Sequence, residues 1–365
     1  MKSSERFSIT KIYIDRNSVN SQITKNTLSL LPETPYEIVD KLEKKGINLS
    51  DSKKILYLKE NKSNFFKKCP GTPNYICCLY KVLHLAENCP MDCSYCILQA
   101  YFKNPYLTIF TNTDKMLNEI SEADKKGVIY RVGTGEWTDS FALEPFGNWN
   151  QLLIPFWGEL NNLFLELKSK DNNLDFLKYS KVHKRKVIIS FSLNSSKIQQ
   201  SEELNTTTIE ERIKIAKKAY EQGFINSFHF DPIIYYNGYQ KDYEDSINML
   251  FDNIPENNIC WISMGTLRFI PALKDIAIKR FPNSNIYFQE FHTGIDSKYR
   301  YFIKKRIDIY RDIVKAIRKR SLNVPLYFCM ENRKVWESVF GVAPKNSKSL
   351  SNYLDESILK VSKNY

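Results

Sequence analysis

From about residue 75 onward, short apolar runs alternate with longer stretches of helical period. Residues 79–85, 128–132, 164–167, 187–193, 228–230, 259–264 and 326–329 are rich in β-branched and aromatic side chains, and each predicts a strand. Most of these runs end in turn formers or polar residues, such as Gly133-Thr134-Gly135, Lys168-Ser169-Lys170, Asp231-Pro232 and Gly265-Thr266. The clearest helix spans residues 208–221. Thr208 is followed three positions on by Glu211, a capping-box pairing, and Gly223 closes the segment. Before residue 75 the chain is more polar. Ile12-Tyr13-Ile14 predicts a strand there, and residues 36–45 predict a helix stopped by Gly46. The run from Cys69 to Asn74 is turn chemistry and a plausible boundary.

Strands separated by helices predict a parallel sheet. Six or so such units suggest an α/β fold, a partial (β/α)6-type TIM barrel with additions at both ends. The expected division is an N-terminal extension over residues 1–75, a barrel core over 76–290 and a C-terminal addition over 291–365. In such a barrel the chemistry gathers on the loops at the C-terminal ends of strands. The polar and glycine-rich segments above all fall at such ends.

Composition adds three constraints. No apolar run reaches membrane-spanning length. Lys and Arg total 53 against 41 acidic residues, a net charge of +12 that favours a polyanionic partner, chiefly nucleic acid. The stretch from Tyr299 to Arg306 mixes aromatic and basic residues as a base-stacking strip would, but at helical spacing it reads better as a core stripe with a solvated basic face. The eight cysteines, with no apolar N-terminal signal segment, imply reduced thiols and a cytoplasmic protein.

Three of those cysteines, Cys89, Cys93 and Cys96, share one short run with spacing C-x3-C-x2-C. Three thiolates this close can hold three corners of an iron–sulfur cubane, leaving the fourth iron open to a small molecule. Tyr95, between two of them, would lie against the cluster or its ligand, or simply pack. A structural zinc site needs a fourth ligand, which Cys77, Cys78 or His84 could supply; the protein would then be a zinc-containing nucleic-acid-binding module. Cys69, Cys260 and Cys329 read as small apolar residues.

The cysteine run resembles the cluster loop of the radical S-adenosylmethionine (SAM) superfamily. That resemblance implies a partial barrel of the radical SAM class, a [4Fe–4S] cluster held by Cys89, Cys93 and Cys96, and SAM on the open iron. Reductive cleavage of SAM would give a 5′-deoxyadenosyl radical. Gly133-Thr134-Gly135-Glu136 resembles the Gly-Gly-Glu segment of the superfamily, so Glu136 is the carboxylate expected to meet the α-amino group of SAM. Lys170, Ser192 and Asn194 are polar groups at later strand ends, suited to the SAM carboxylate or ribose.

From about residue 77 to 341 the chain further resembles the spore photoproduct lyase family, which repairs a thymine dimer in DNA. The likeness is carried by Cys89-Pro90 through Cys96-Ile97-Leu98-Gln99, Phe191-Ser192-Leu193-Asn194 and Thr208-Ile209-Glu210-Glu211-Arg212-Ile213. It continues in Asp231-Pro232-Ile233, the run from Ser263 to Phe269, and Cys329-Met330-Glu331. It implies SAM contacts at Lys170 and Ser192, with Thr138 a further contact. Two positions depart from the family. Glu136 stands where a cysteine returns a hydrogen atom to the substrate radical, and Ile97 stands where a tyrosine follows the third cluster cysteine. The expectation is an intact radical-generating half, with thymine-dimer repair slow or absent unless another donor stands in. Cys329, at the end of a late strand, is the candidate. The expected cofactors are the cluster and SAM, the substrate a damaged or modified nucleic acid, and the electron donor a flavodoxin or ferredoxin. A radical SAM enzyme acting on a peptide or small molecule is the alternative.

Overall fold

The computed structural model describes residues 8–42, 48–72, 74–183 and 185–363. Two compact units interleave along the sequence rather than following three linear segments. The first takes residues 1–68, 81–92 and 98–187, and the second takes 69–80, 93–97 and 188–365.

The strands of the first unit are, in chain order, Lys11–Asp15 (β1), Tyr36–Val39 (β2), Ile55–Lys59 (β3), Lys81–Leu83 (β4), Leu107–Phe110 (β5), Tyr130–Gly133 (β6) and Leu163–Ser169 (β7). A parallel sheet runs β2-β1-β3-β5, with Ile12 opposite both Tyr36 and Leu56. Its β3 and β5 are apolar and buried on both faces, as parallel strands covered on each side are. A second parallel set runs β7-β6-β4, edged by the antiparallel strand Phe66–Lys68.

Here the structure corrects the sequence reading. Residues 36–39 form a strand, not the start of a helix, because pairing with β1 outweighs the local period. Residues 40–42 are non-helical too, and the rest of that predicted helix with its Gly46 stop falls at 43–47, outside the described residues. The strands β3 and β5 were not anticipated. The strand expected over 79–85 shortens to β4, since Leu79 adopts a left-handed turn conformation with φ of 56°.

In the second unit the strands Val187–Ser192 (β8), Ile225–Ile233 (β9), Ile259–Thr266 (β10) and Leu326–Phe328 (β11) run parallel in that order. Their register sets Ser192 opposite His229, His229 opposite Ser263, and Ser263 opposite Tyr327. The helix Ile209–Glu221 carries the full capping box between Thr208 and Glu211, a cap worth about 1 kcal/mol. It buries Ile209, Ile213, Ala216 and Ala219, and Gly223 leaves it at φ of 80°. The basic–aromatic stretch is only partly the solvated face expected. Arg300 and Arg306 are buried, ion-paired with Asp296 at 2.6 Å and with Glu331 at 3.1 Å. Among the described residues no helix is long and apolar enough to cross a membrane.

Candidate active site

The turn after β6 belongs to the first unit. Asp139 organises it: one carboxylate oxygen accepts from the backbone of Phe141 and Ala142 at 2.9 and 3.1 Å and from the Ser169 hydroxyl at 2.7 Å. The other accepts from the Lys170 backbone at 2.8 Å, tying the turn to the end of β7. Gly135 is required by close approach, since a Cβ there would sit 2.7 Å from the Lys168 carbonyl oxygen. Glu136 is ion-paired with Lys168, both side chains part-exposed. Lys168, the partner of Glu136, was not singled out from the sequence. Thr138 is buried, and its hydroxyl has no hydrogen-bond partner among the described residues. A buried hydroxyl without a partner is disfavoured, so this atom fits a ligand contact of the kind the resemblance implies.

Cys89 packs in the first unit against Met91 and Ala142. Beside it, Lys53 pairs with Asp92 at 2.8 Å and donates to the Met91 carbonyl. Cys93 and Cys96 belong to the second unit, where the Cys96 N–H closes a turn on the Cys93 carbonyl at 3.1 Å. The two residues between them are clamped by adjacent glutamates. Ser94 donates its N–H to the Glu202 carbonyl at 2.8 Å and its hydroxyl to the Glu202 carboxylate, which also accepts from Ser284 at 2.7 Å. The Tyr95 hydroxyl donates to Glu203. Burial, and then the Glu203 charge, hold the Tyr95 phenol well above its ordinary pKa. Tyr287 adds a hydrogen bond to the Ser94 carbonyl at 3.0 Å. None of these clamp residues was legible from the sequence.

The donor chemistry suits an iron–sulfur cluster. None of the eight cysteines, all among the described residues, is in a disulfide. Among the described residues no three Cys, His, Asp or Glu side chains converge on a single point as a mononuclear metal requires. The cysteines of a cubane each take a separate iron, so their sulfurs need not converge. His84, a proposed fourth zinc ligand, is engaged in the first unit with Lys67 at 3.0 Å and Glu87 at 3.4 Å.

Glu203 is the hub of a buried network at the end of β8. It pairs with Arg212 at 2.6 Å, and Arg212 also donates to the Ser192 carbonyl at 2.8 Å and to the Thr207 carbonyl at 2.7 Å. Ser192 therefore sits, buried, at the strand end as expected. Asn194 is fully occupied by the protein. Its amide nitrogen donates to Glu203 at 3.3 Å and to the Pro232 carbonyl at 3.1 Å, and its oxygen accepts from Tyr243 and from the Ser195 N–H.

Further along the second unit, Arg268 makes a bidentate pair with Asp231, both contacts at 2.9 Å. Gly265 leaves the space, since a Cβ there would lie 2.5 Å from the guanidinium. The same guanidinium reaches the Cys329 sulfur at 3.5 Å. Cys329 is half-buried, just past β11, with its N–H on the Met264 carbonyl at 2.9 Å. It is at a strand end rather than sealed in the core.

Comparison with known proteins matches this arrangement to one family. A family model described as spore photoproduct lyase covers residues 75–327. The spore photoproduct lyase of Clostridium acetobutylicum is 24% identical over 225 residues, which are 60% of this chain and 64% of that protein. That of Bacillus subtilis (strain 168) is 22% identical over 56% of this chain and 61% of its own length. The match thus spans less than two thirds of these curated relatives. Among solved structures, a spore photoproduct lyase complexed with dinucleoside spore photoproduct superposes with a TM-score of 0.77 at 17% identity, covering 88% of this chain and 99% of the other. A variant lyase with bound AdoMet and the same dinucleoside gives 0.78 at 17% identity over the same shares. The fold is therefore that of these enzymes, the partial α/β barrel expected. Because the family model accounts for well over half of the chain, the chain belongs to the spore photoproduct lyase family.

Proposed function

We propose that this protein is a radical SAM enzyme acting on damaged nucleic acid of the spore photoproduct type. The observation that carries the reading is the C-x3-C-x2-C run, which lies inside the family-matched segment and has both residues between its last two cysteines clamped by Glu202 and Glu203. Cys89, Cys93 and Cys96 hold a [4Fe–4S] cluster, which when bound supplies the electron that cleaves SAM. The clamp fixes the loop so that Cys93 and Cys96 present their sulfurs in one geometry, and Tyr95 acts through its position in that clamp. Glu136, paired with Lys168, accepts from the α-amino group of SAM. Thr138 offers its unpartnered hydroxyl, and Lys170 and Ser192 are the remaining SAM contacts. Asn194, with every side-chain group engaged inside the protein, belongs to the scaffold that orients Ser192.

The substrate assignment draws on the dinucleoside spore photoproduct bound by relatives of the same fold and on the net charge of +12, which suits a phosphate backbone. A flavodoxin or ferredoxin in the cytoplasm is the proposed electron source. The test is anaerobic reconstitution followed by incubation with SAM, dithionite and dinucleoside spore photoproduct. The expected result is brown protein with about four irons per chain, 5′-deoxyadenosine, and thymidine released from the lesion. Cys93→Ala should lose iron and SAM cleavage together, and full iron with full turnover in that variant would overturn the assignment. SAM cleavage without any change in the lesion would redirect the search to peptide or small-molecule substrates.

A further inference from the structure

One buried imidazole in the first unit joins the segment that enters Cys89 to the turn that carries Glu136 and Thr138. His84 lies just past β4, buried, with its N–H on the Phe65 carbonyl at 2.9 Å. Its Nδ1 is 3.0 Å from the Lys67 ammonium, and its Nε2 faces the Glu87 carboxylate at 3.4 Å. An ammonium can only donate, so Nδ1 accepts and the ring proton sits on Nε2, toward Glu87. Burial is the main influence on the ring and lowers its pKa, which favours the neutral form. The Trp137 ring lies against it with centroids 4.2 Å apart, and Phe110 meets it edge-on at 4.9 Å. The Lys67 ammonium, which also donates to the Ser63 hydroxyl at 2.9 Å, stands 5.3 Å from the centroid of Trp137.

The two sides of this contact have different anchors. Glu87 stands two residues before Cys89 and pairs opposite Thr108 of β5. Asn88, between them, takes a left-handed φ of 67° and donates its amide to the Asn104 and Tyr106 carbonyls, each at 2.8 Å. The approach to Cys89 is therefore placed by its own bonds. Trp137 is buried and stands between Glu136 and Thr138. Asp139 ties that turn down beyond Thr138, and the ring contact with His84 ties it down ahead of Thr138.

We propose that His84 is a positioning residue. Through Trp137 it sets the Glu136–Thr138 turn against the segment that bears Cys89, and so holds the SAM contacts in register with a cluster cysteine. This rests on the SAM reading above and deepens it. A ligand that meets both the cluster and the turn needs the two in one frame, and an error of about 1 Å in such a frame costs on the order of 100-fold in rate. The ring contact fixes the orientation of Trp137, while Lys67 and Glu87 fix the orientation of the imidazole.

Two measurements test this, the first without cluster or SAM. In the cluster-free full-length chain, the fluorescence lost on Trp137→Phe is the Trp137 signal. The same difference is taken in the His84→Ala background. The signal is expected to move to longer wavelength there and to become open to acrylamide quenching. A Trp137 signal unchanged by His84→Ala overturns the positioning role. Second, the anaerobically reconstituted chain is titrated with SAM. His84→Ala should hold as much iron as the natural chain and bind SAM about 10- to 100-fold more weakly, the range typical when a group that orients a ligand is removed. His84→Phe restores a ring against Trp137 and should bring SAM affinity back to within about threefold of the natural value. His84→Gln keeps polar contacts without the ring and should weaken SAM as His84→Ala does, which serves if the alanine protein folds poorly. A role in folding alone would lower the unfolding midpoint and leave SAM affinity as it was, and that result overturns the proposal. If the Trp137 signal moves while SAM affinity holds, the turn is not where SAM binds, so the reading of Glu136 and Thr138 fails and the proposal with it. A natural chain that takes up iron but binds no SAM would instead overturn the radical SAM reading itself.

Discussion

The turn after β6 and the polar network at the end of β8 are built from the same kinds of residue and finish differently. In the network, Glu203, Arg212, Asn194 and Tyr95 bond one another, and the buried carboxylate meets a guanidinium at 2.6 Å. Only the Arg212 Nε of this group is left without a partner among the described residues. In the turn, Asp139 secures the backbone but the Thr138 hydroxyl is left buried without a partner. A few residues on, Glu144 is buried with only the backbone N–H groups of Trp149 and Asn150, at 2.9 and 2.8 Å, to receive it. Its carboxyl is pushed up to about 8 by burial, which those two hydrogen bonds only partly offset. Under the proposed function the difference assigns Asn194 and Tyr95 to the scaffold and Thr138 to binding.

The largest effect should come from opening the closed region. Arg212→Ala leaves Glu203 buried without its countercharge, and such a loss costs about 3–5 kcal/mol. Urea unfolding should show a midpoint lowered accordingly, and the cysteine loop, held through Tyr95 on Glu203, should retain less iron. A loss under 1 kcal/mol would mean the network is not a scaffold. Next comes Glu144. Its folded pKa lies above its unfolded value, so the stability it contributes is full below about 4.5 and is lost as pH rises through about 8. Glu144→Gln keeps a neutral acceptor and removes that dependence. Relative to this variant, the natural chain should lose on the order of 3 kcal/mol between pH 5 and 9. Parallel stability–pH curves for the two proteins would show that Glu144 is ionised at no energetic penalty.

What the sequence disclosed follows the same division. The strands β6 to β11 were legible because burial on both faces makes them continuous apolar runs. β2 was not, because its residues 36–38 are exposed and only pairing with β1 makes it a strand. The cysteine run and Glu136 stood out by type and spacing. Their supports did not. Glu202 and Glu203 lie over a hundred residues from the Ser94 and Tyr95 that they hold, so no local pattern links them. Lys168 rather than Lys170 meets Glu136 because Glu166 registers opposite Gly133, which carries Gly135 alongside Lys168. Strand register is a tertiary fact, and residue type alone could not show that Lys168 pairs with Glu136.

Glu136→Gln probes the open side. If the carboxylate receives the SAM amino group, a charge-assisted hydrogen bond of about 1.5–3 kcal/mol is weakened, so the SAM dissociation constant should rise about 10- to 100-fold. Iron content should stay unchanged, because no cluster cysteine is touched. The Glu136–Lys168 pair is part-exposed, so unfolding free energy should move by no more than about 1 kcal/mol. An unchanged SAM titration would remove Glu136 from the SAM contacts.

Thr138→Val separates the two regions most finely, because its effects on folding and binding should have opposite signs. The swap is nearly isosteric and removes a buried hydroxyl without a partner among the described residues. A residue serving only the fold would lose stability when its hydrogen-bonding group is removed. Here the buried hydroxyl is itself unfavourable, so the valine protein should be as stable as the natural chain or more stable by up to about 1 kcal/mol. SAM affinity should fall by a factor of about 3 to 10, the worth of one neutral hydrogen bond. Thermal denaturation of the cluster-free chain and SAM titration of the reconstituted enzyme measure the two sides independently. A destabilised variant with unchanged SAM affinity would place Thr138 among the closed, structural groups, and the contrast between the two regions would fail at the residue that defines it.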